Sequence, residues 1–238
     1  MQLERGSFWF KGRNRIIIWA LAKYFPRAID FLEIGCGTGF VLSALSEACP
    51  SLKLSGSELF NEGLVYAGKR VPNANFFQLD ATKMSCEKEF DVIGAFDVVE
   101  HIKEDSHVLS QIFKALRPGG GLVLTVPQHM WLWSQADDFA HHCRRYSLAE
   151  LKQKTEAAGF QIAFTTSFMS LFLPLMVASR LRQRAFPGSY NVMSELSITG
   201  WVGAVLDWIL KVELALIKFG ISLPLGGSLL LVAMRPDD

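Results

Sequence analysis

Phe31-Leu32-Glu33-Ile34-Gly35-Cys36-Gly37-Thr38-Gly39-Phe40 reads as the end of a buried strand breaking into a tight turn. A short apolar run closes on an acid, and three glycines follow at alternate positions. Glycine lacks a Cβ, so it takes the dihedrals such a turn needs and lets a ligand lie against bare backbone. Phe40 stands where a dinucleotide fingerprint would place its third glycine. Glu33 before the turn would repel a pyrophosphate and suits a cationic or hydroxyl-rich ligand.

Working outward, the apolar and polar patterns alternate between the two regular periods. Strands are expected at 28–34, 52–57, 75–79, 90–96, 122–126, 160–167 and 227–234. Helices are expected at 14–24, 40–48, 62–70, 106–116 and 147–158, the last with Ser147 and Glu150 as a capping box. This order predicts an open, mostly parallel sheet covered by helices on both faces. Ligands of such sheets bind beyond the carboxyl ends of the strands. Glu33, Glu58, Asp80 and Asp97 all fall at those ends. Glu58, about twenty residues past the glycine turn, can accept from ribose hydroxyls. Asp80 can accept from an adenine amino group, beside Leu59, Phe76 or Phe77 as a stacking face. The turn carries no Lys or Arg, so the ligand expected is a nucleoside bearing a cation.

Bulk properties fit this reading. The chain has 238 residues and a formal net charge of +1, room for a full core and no global nucleic-acid footprint. Cys36, Cys49, Cys86 and Cys143 form no Cys-x-x-Cys pair, so neither a disulfide framework nor a metal site is expected. Met1–Gly6 lacks the basic and apolar pattern of a secretory signal, and a cytoplasmic location is expected. One domain is expected over 1–238: a helical cap to 27, a cofactor-binding core over 28–167, an apolar helical insertion over 168–226 and a last strand over 227–236.

Glu33-Ile-Gly-Cys-Gly-Thr-Gly39, Ser57-Glu58, Leu79-Asp80-Ala81, Phe90-Asp-Val92 running to Asp97-Val-Val-Glu100-His101, and Leu116-Arg-Pro-Gly-Gly-Gly121 together resemble class I S-adenosylmethionine-dependent methyltransferases. The likeness is strongest to the branch of the ubiquinone- and menaquinone-biosynthesis enzymes. It implies a Rossmann-like, seven-stranded α/β sheet ending in a C-terminal β-hairpin. It also implies that Glu33, Gly35, Cys36, Gly37 and Gly39 hold the methionine part of the cofactor, Glu58 and Leu59 the ribose side, and Asp80 and Ala81 the adenine. Phe96, Asp97 and Val98 would line the sulfonium. A narrower resemblance, through Trp9, Phe10, Arg13, the loop Val126–Ser134, Asp137 and His142–Tyr146, is to an uncharacterised bacterial group associated with cell-surface glycan or lipid pathways.

The implied reaction moves a methyl group from S-adenosylmethionine to a small-molecule, lipid-linked or glycan acceptor. Much of its rate can come from positioning, and a hydroxyl acceptor gains from a general base near neutral pH. His101, His129 and His142 are the candidates. Trp9, Phe10, Arg13, Trp131, Trp133, Asp137, Arg144, Arg145 and Tyr146 are candidate acceptor or lid residues; a salt-bridged anchor or plain packing would use the same residue types. The rival readings are an NAD(P)-dependent Rossmann oxidoreductase and a non-catalytic protein of the same fold.

Residues 168–226 have no place in a minimal sheet of this kind. Phe168–Leu181 is nearly uncharged but shorter than the roughly 20 residues a membrane span needs. Over Trp201–Phe219 an amphipathic helix is expected, with Trp201, Val205, Trp208, Val212 and Leu216 on the apolar face and Asp207, Lys211 and Lys218 opposite. Contact with the inner membrane face, packing as a cap, and homodimerisation all fit that pattern.

Overall fold

The computed structural model describes residue 4, residues 6–185 and residues 200–237. Residues 186–199, part of the expected insertion, lie outside the described residues. A seven-stranded sheet runs in the order β3-β2-β1-β4-β5-β7-β6. The strands are β1 (Asp30–Ile34), β2 (Lys53–Glu58), β3 (Asn75–Gln78), β4 (Phe90–Phe96), β5 (Leu116–Pro127), β6 (Gln161–Phe168) and β7 (Ser228–Met234). β1 to β5 pair in parallel, and β7 lies antiparallel between β5 and β6. This is the mostly parallel sheet that the residue pattern predicts, with the terminal hairpin that the family resemblance implies.

Alternate side chains of the central strands enter two cores, as the period of two requires. Phe31, Val92 and Val123 join one core with α1 (Phe8–Tyr24), α2 (Phe40–Ala48), α3 (Asn61–Arg70) and α8 (Gly200–Lys218). Leu32, Ile93, Leu122 and Leu124 join the other with α4 (Asp105–Ala115) and α6 (Leu148–Ala157). Between them, α5 (Gln135–Phe139) and α7 (Leu173–Ala185) lie in the connections after β5 and β6.

Four differences from the sequence reading have physical causes. Helix α1 starts at Phe8, not Asn14, so the aromatic run belongs to the helix that covers the sheet. β5 starts at Leu116, because Leu116 already pairs with Phe90 across a register shift. Ser147 Oγ accepts from the Glu150 N–H at 3.1 Å, but the Glu150 carboxylate turns to Lys154 at 2.9 Å and leaves that box half made. A complete capping box forms instead at Ser134 and Asp137.

The largest difference is α8. Leu210, Glu213, Leu214 and Ile217 form its buried face, packed toward α1. Trp201, Val205 and Trp208, the apolar face expected to meet a membrane, the domain or a second copy, are turned to solvent. Asp207 is not on a solvated face: it pairs with Arg15 of α1 at 2.5 Å.

Candidate active site

β1 delivers Glu33 and Ile34 to the sheet edge, where Gly35, Gly37 and Gly39 all adopt positive φ (67°, 52° and 74°). At Gly35 a Cβ would fall 2.5 Å from Val98 Cγ2, whereas at Gly37 it would meet nothing within 4 Å. One glycine is thus dictated by the fold, and the other leaves an open face over the turn. Glu58, at the end of β2, braces that turn: its Oε2 accepts from Gly37 N–H at 2.8 Å and its Oε1 from Leu59 N–H at 3.0 Å. Each oxygen keeps a lone pair for a further donor.

Glu33 is buried, and its Oε2 has no hydrogen-bond partner. Burial pushes this carboxyl up to about 8, against the opposing pull of the Arg13 guanidinium. Such an orphaned acid wants a cationic donor. Burial likewise pushes up the Cys36 thiol. A cavity of about 170 Å³ opens beside Glu33, bounded by the glycine turn, Phe96, and Glu4, Phe10 and Arg13 of the N-terminal segment. Glu4 accepts from Thr38 Oγ1 at 2.6 Å and pairs with Arg70 at 2.8 Å, tying that segment across the turn.

Arg13 pairs with Asp97 at 2.5 Å. Arg13 borders the first cavity, and Asp97 borders a second of about 460 Å³, so the ion pair stands at the boundary between them. The second cavity has an apolar wall of Phe8, Trp9, Met169, Phe172, Met176 and Leu206, from α1, the segment between β6 and α7, α7 and α8. Glu100, His142, Arg145 and Arg180 supply its polar groups beside Asp97.

Those polar groups are ordered. Asp137 accepts from Ser134 N–H at 2.8 Å and receives Arg145 Nε at 2.7 Å. Burial would raise its carboxyl, but hydrogen bonds from His142 and Arg145 hold it far below the usual range. His142 Nδ1 lies 2.9 Å from Asp137 Oδ1. A carboxylate there fixes the tautomer and leaves Nε2 as an acceptor; Nε2 is 4.0 Å from Glu100 Oε1. Glu100 is fully buried with both carboxyl oxygens unpartnered. Burial and the nearby Asp97 raise it well above the usual range. The His101 ring lies 4.7 Å from that of His142, edge to face, and burial and His142 both lower its pKa. One ligand-type atom from each of Glu100, His101 and His142 falls within 4.8 Å of the others, so among the described residues these three could close on a cation.

Other predicted residues go elsewhere. His129 has positive φ, stacks on Trp131 at 5.0 Å and does not border either cavity. Trp133 donates to Asp138 at 2.9 Å. Tyr146 is a core residue, 1% exposed, whose hydroxyl donates to Asp105 at 2.7 Å; Arg144 joins it on Asp105 at 2.5 Å. Asp80 Oδ1 already accepts from the Thr82 N–H and hydroxyl at 2.9 and 2.6 Å, capping the turn at Ala81. Leu59 is exposed. Sequence reasoning did not assign Glu4, Glu100 or Arg180 to the site. An acid inside the apolar run Val98-Val99-Glu100 was the one local signal among them.

Residues 1–163 match the family described as a methyltransferase domain. A relative named a probable S-adenosylmethionine-dependent methyltransferase, from Mycolicibacterium smegmatis, is 25% identical over 68% of this chain and 63% of its own length. A malonyl-acyl-carrier-protein O-methyltransferase of Halalkalibacterium halodurans is 34% identical over 44% of this chain and 40% of its own. The chain therefore spans less than two thirds of either relative. Among solved structures, a phosphoethanolamine N-methyltransferase 2 of Haemonchus contortus in complex with S-adenosylmethionine has a TM-score of 0.62 at 20% identity, over 94% of this chain and 52% of that one. The cyclase SpnF has a TM-score of 0.65 at 19% identity, over 99% and 85%. At these identities the two structures establish the fold.

Proposed function

The chain belongs to the methyltransferase-domain family, and on that premise we propose that it moves the methyl group of S-adenosylmethionine to a hydroxyl of an acceptor with a long apolar body. One observation carries the reading: the Arg13–Asp97 pair separates a small cavity at the glycine turn from a large apolar one. The first compartment suits a cationic nucleoside and the second its acceptor.

The residues fit the cofactor. Glu33, orphaned and buried, accepts from an ammonium group, and Arg13 beside it answers a carboxylate. Glu58 accepts from ribose hydroxyls with the lone pairs that the turn leaves free. Ala81 and exposed Leu59 border the adenine, and Asp80 offers it the oxygen that does not cap the turn. When bound, S-adenosylmethionine supplies an electrophilic methyl on a sulfonium. Phe8 and Trp9 of α1 keep water away from the boundary between the cavities.

His142 is the base. Asp137 holds Nδ1–H, so Nε2 takes the proton of an acceptor hydroxyl that enters past Met176 and Leu206. Asp137, kept ionised by its donors, stabilises the imidazolium that results. Burial and the neighbouring Asp97 raise the Glu100 carboxyl and so favour its neutral form beside Asp97. His101 packs on the His142 ring and sets its plane.

Calorimetry with S-adenosylmethionine and with NADH tests the cofactor. The first is expected to bind and the second not; the reverse overturns the reading. Transfer of labelled methyl from S-adenosylmethionine into a total lipid extract tests the acceptor. Label confined to a water-soluble extract would refute the apolar body.

A further inference from the structure

We infer that α7 and α8 dock this protein on an anionic bilayer surface, with the acceptor cavity opening at the docked face. The route of the acceptor rests on the proposed function, but the docking does not.

The argument starts from the two sides of α8. Its buried face is satisfied against α1, yet the opposite face is apolar as well. Trp201 is 79% and Trp208 63% exposed, with Val205 between them. Spaced four and three residues apart, these side chains share one stripe. Just past the helix, Phe219 is 87% exposed. Burying one face of a helix in a core explains one apolar stripe, not two. Tryptophan suits a bilayer boundary, because the ring enters the apolar zone while its N–H stays at headgroup level.

Charge selects the occupant. Among the described side chains of α7 and α8, the exposed charges are Arg182, Lys211 and Lys218. The two acids are turned away: Asp207 pairs with Arg15 and Lys211, and Glu213 is buried, accepting from Leu171 N–H at 2.9 Å. Lys211 is held by Asp207 at 3.0 Å, so the charges presented to a headgroup are Arg182 and Lys218, the latter on the flank beside Trp208. A second copy of this chain would meet the face with itself across a two-fold axis, setting like charges together. Anionic headgroups neutralise them. No helix among the described residues is long and apolar enough to cross a membrane, so this is a helix pair lying on the surface.

The cavity makes the docking useful. Leu206 of α8 and Leu175 of α7 both line it, and Leu175 is 60% exposed. Its mouth is therefore at the docked helices. An acceptor with an apolar chain passes from bilayer to cavity without crossing water.

Cosedimentation of the full chain with phosphatidylglycerol–phosphatidylcholine vesicles, and with phosphatidylcholine vesicles alone, tests the inference. Wild type is expected to partition onto the mixed vesicles and to be released by salt. W201S/W208S is expected to lower the partition coefficient about tenfold or more. R182E/K218E is expected to abolish the preference for phosphatidylglycerol. Equal sedimentation of wild type and W201S/W208S would overturn the docking, and so would wild type remaining in the supernatant. A vesicle-independent dimer that W201S/W208S dissolves would assign the face to a second copy instead. Matching thermal melts show that the exposed substitutions leave the fold intact. S-adenosylmethionine calorimetry on the same samples is read separately: failure there overturns the methyltransferase reading and leaves the docking standing.

Discussion

Glu33→Gln separates the charge of the buried acid from its shape. With its value pushed up to about 8, Glu33 is about 1% ionised at pH 6 and about 9% at pH 7. An ammonium ligand pairs with the ionised form, so binding at pH 7 must drive off about 0.9 proton. Over pH 6 to 7 an α-amino group of value about 7.7–8.0 stays mostly charged. The association constant of S-adenosylmethionine should therefore rise about ninefold across that unit.

Calorimetry in two buffers of different ionisation enthalpy reads the proton directly. Glu33→Gln should abolish both the proton release and the slope. At pH 7 it should also weaken binding by roughly 10- to 100-fold, the worth of one charge-assisted hydrogen bond of about 1.5–3 kcal/mol. Stability should move the opposite way. The folded protein keeps this proton between 4.5 and about 8 after the unfolded chain has lost it. Stability then falls with rising pH through that window, and Glu33→Gln removes the fall. A ninefold slope that survives in Glu33→Gln would refute the assignment of the ammonium to Glu33.

His142→Gln should lower methyl transfer at least about 100-fold while leaving S-adenosylmethionine affinity unchanged; parallel loss of both would make His142 a structural residue. Gly35→Ala should cost stability, because its φ of 67° and the 2.5 Å approach to Val98 demand both strain and displacement, together about 1–3 kcal/mol. Gly37→Ala has open space around its Cβ, so thermal melts should shift less than for Gly35→Ala while calorimetry shows the greater loss of cofactor affinity. Tyr146→Phe should lower stability by about 2 kcal/mol through the lost hydrogen bond to Asp105; an unchanged cofactor affinity confirms that it lies outside the site.

The glycine turn and the strand-end acids were legible because each depends on a few neighbours in the chain. Glu33, Glu58 and Asp97 sit where parallel strands stop, and the strands announce themselves by apolar runs. The segment His142–Tyr146 was not, since its residues were read as one cluster. Tyr146 pairs with Gln128 in an isolated bridge, so the backbone is extended and alternate side chains part. Arg144 and Tyr146 go to Asp105, whereas Arg145 goes to Asp137. Alternation over Arg144–Tyr146 splits the structural pair from Arg145, and the bend at Cys143 returns His142 to Asp137 beside it.

Helix α8 shows why periodicity alone could not choose a face. Two apolar stripes of similar strength run along it, one through Trp201, Val205 and Trp208 and the other through Leu206, Leu210 and Ile217. Hydrophobicity alone leaves the choice open, and two polar contacts decide it. Glu213 must reach the backbone at Leu171, and Asp207 must reach Arg15, and both partners lie far away in sequence. Rotating the helix to bury the tryptophans would swing Glu213 into solvent, strip the turn before α7 of its acceptor and separate Asp207 from α1. Leaving a buried donor unsatisfied costs about 1–3 kcal/mol, comparable to what burying one large apolar side chain returns. The tryptophans thus remain outside, with the exposed Lys218 on their flank.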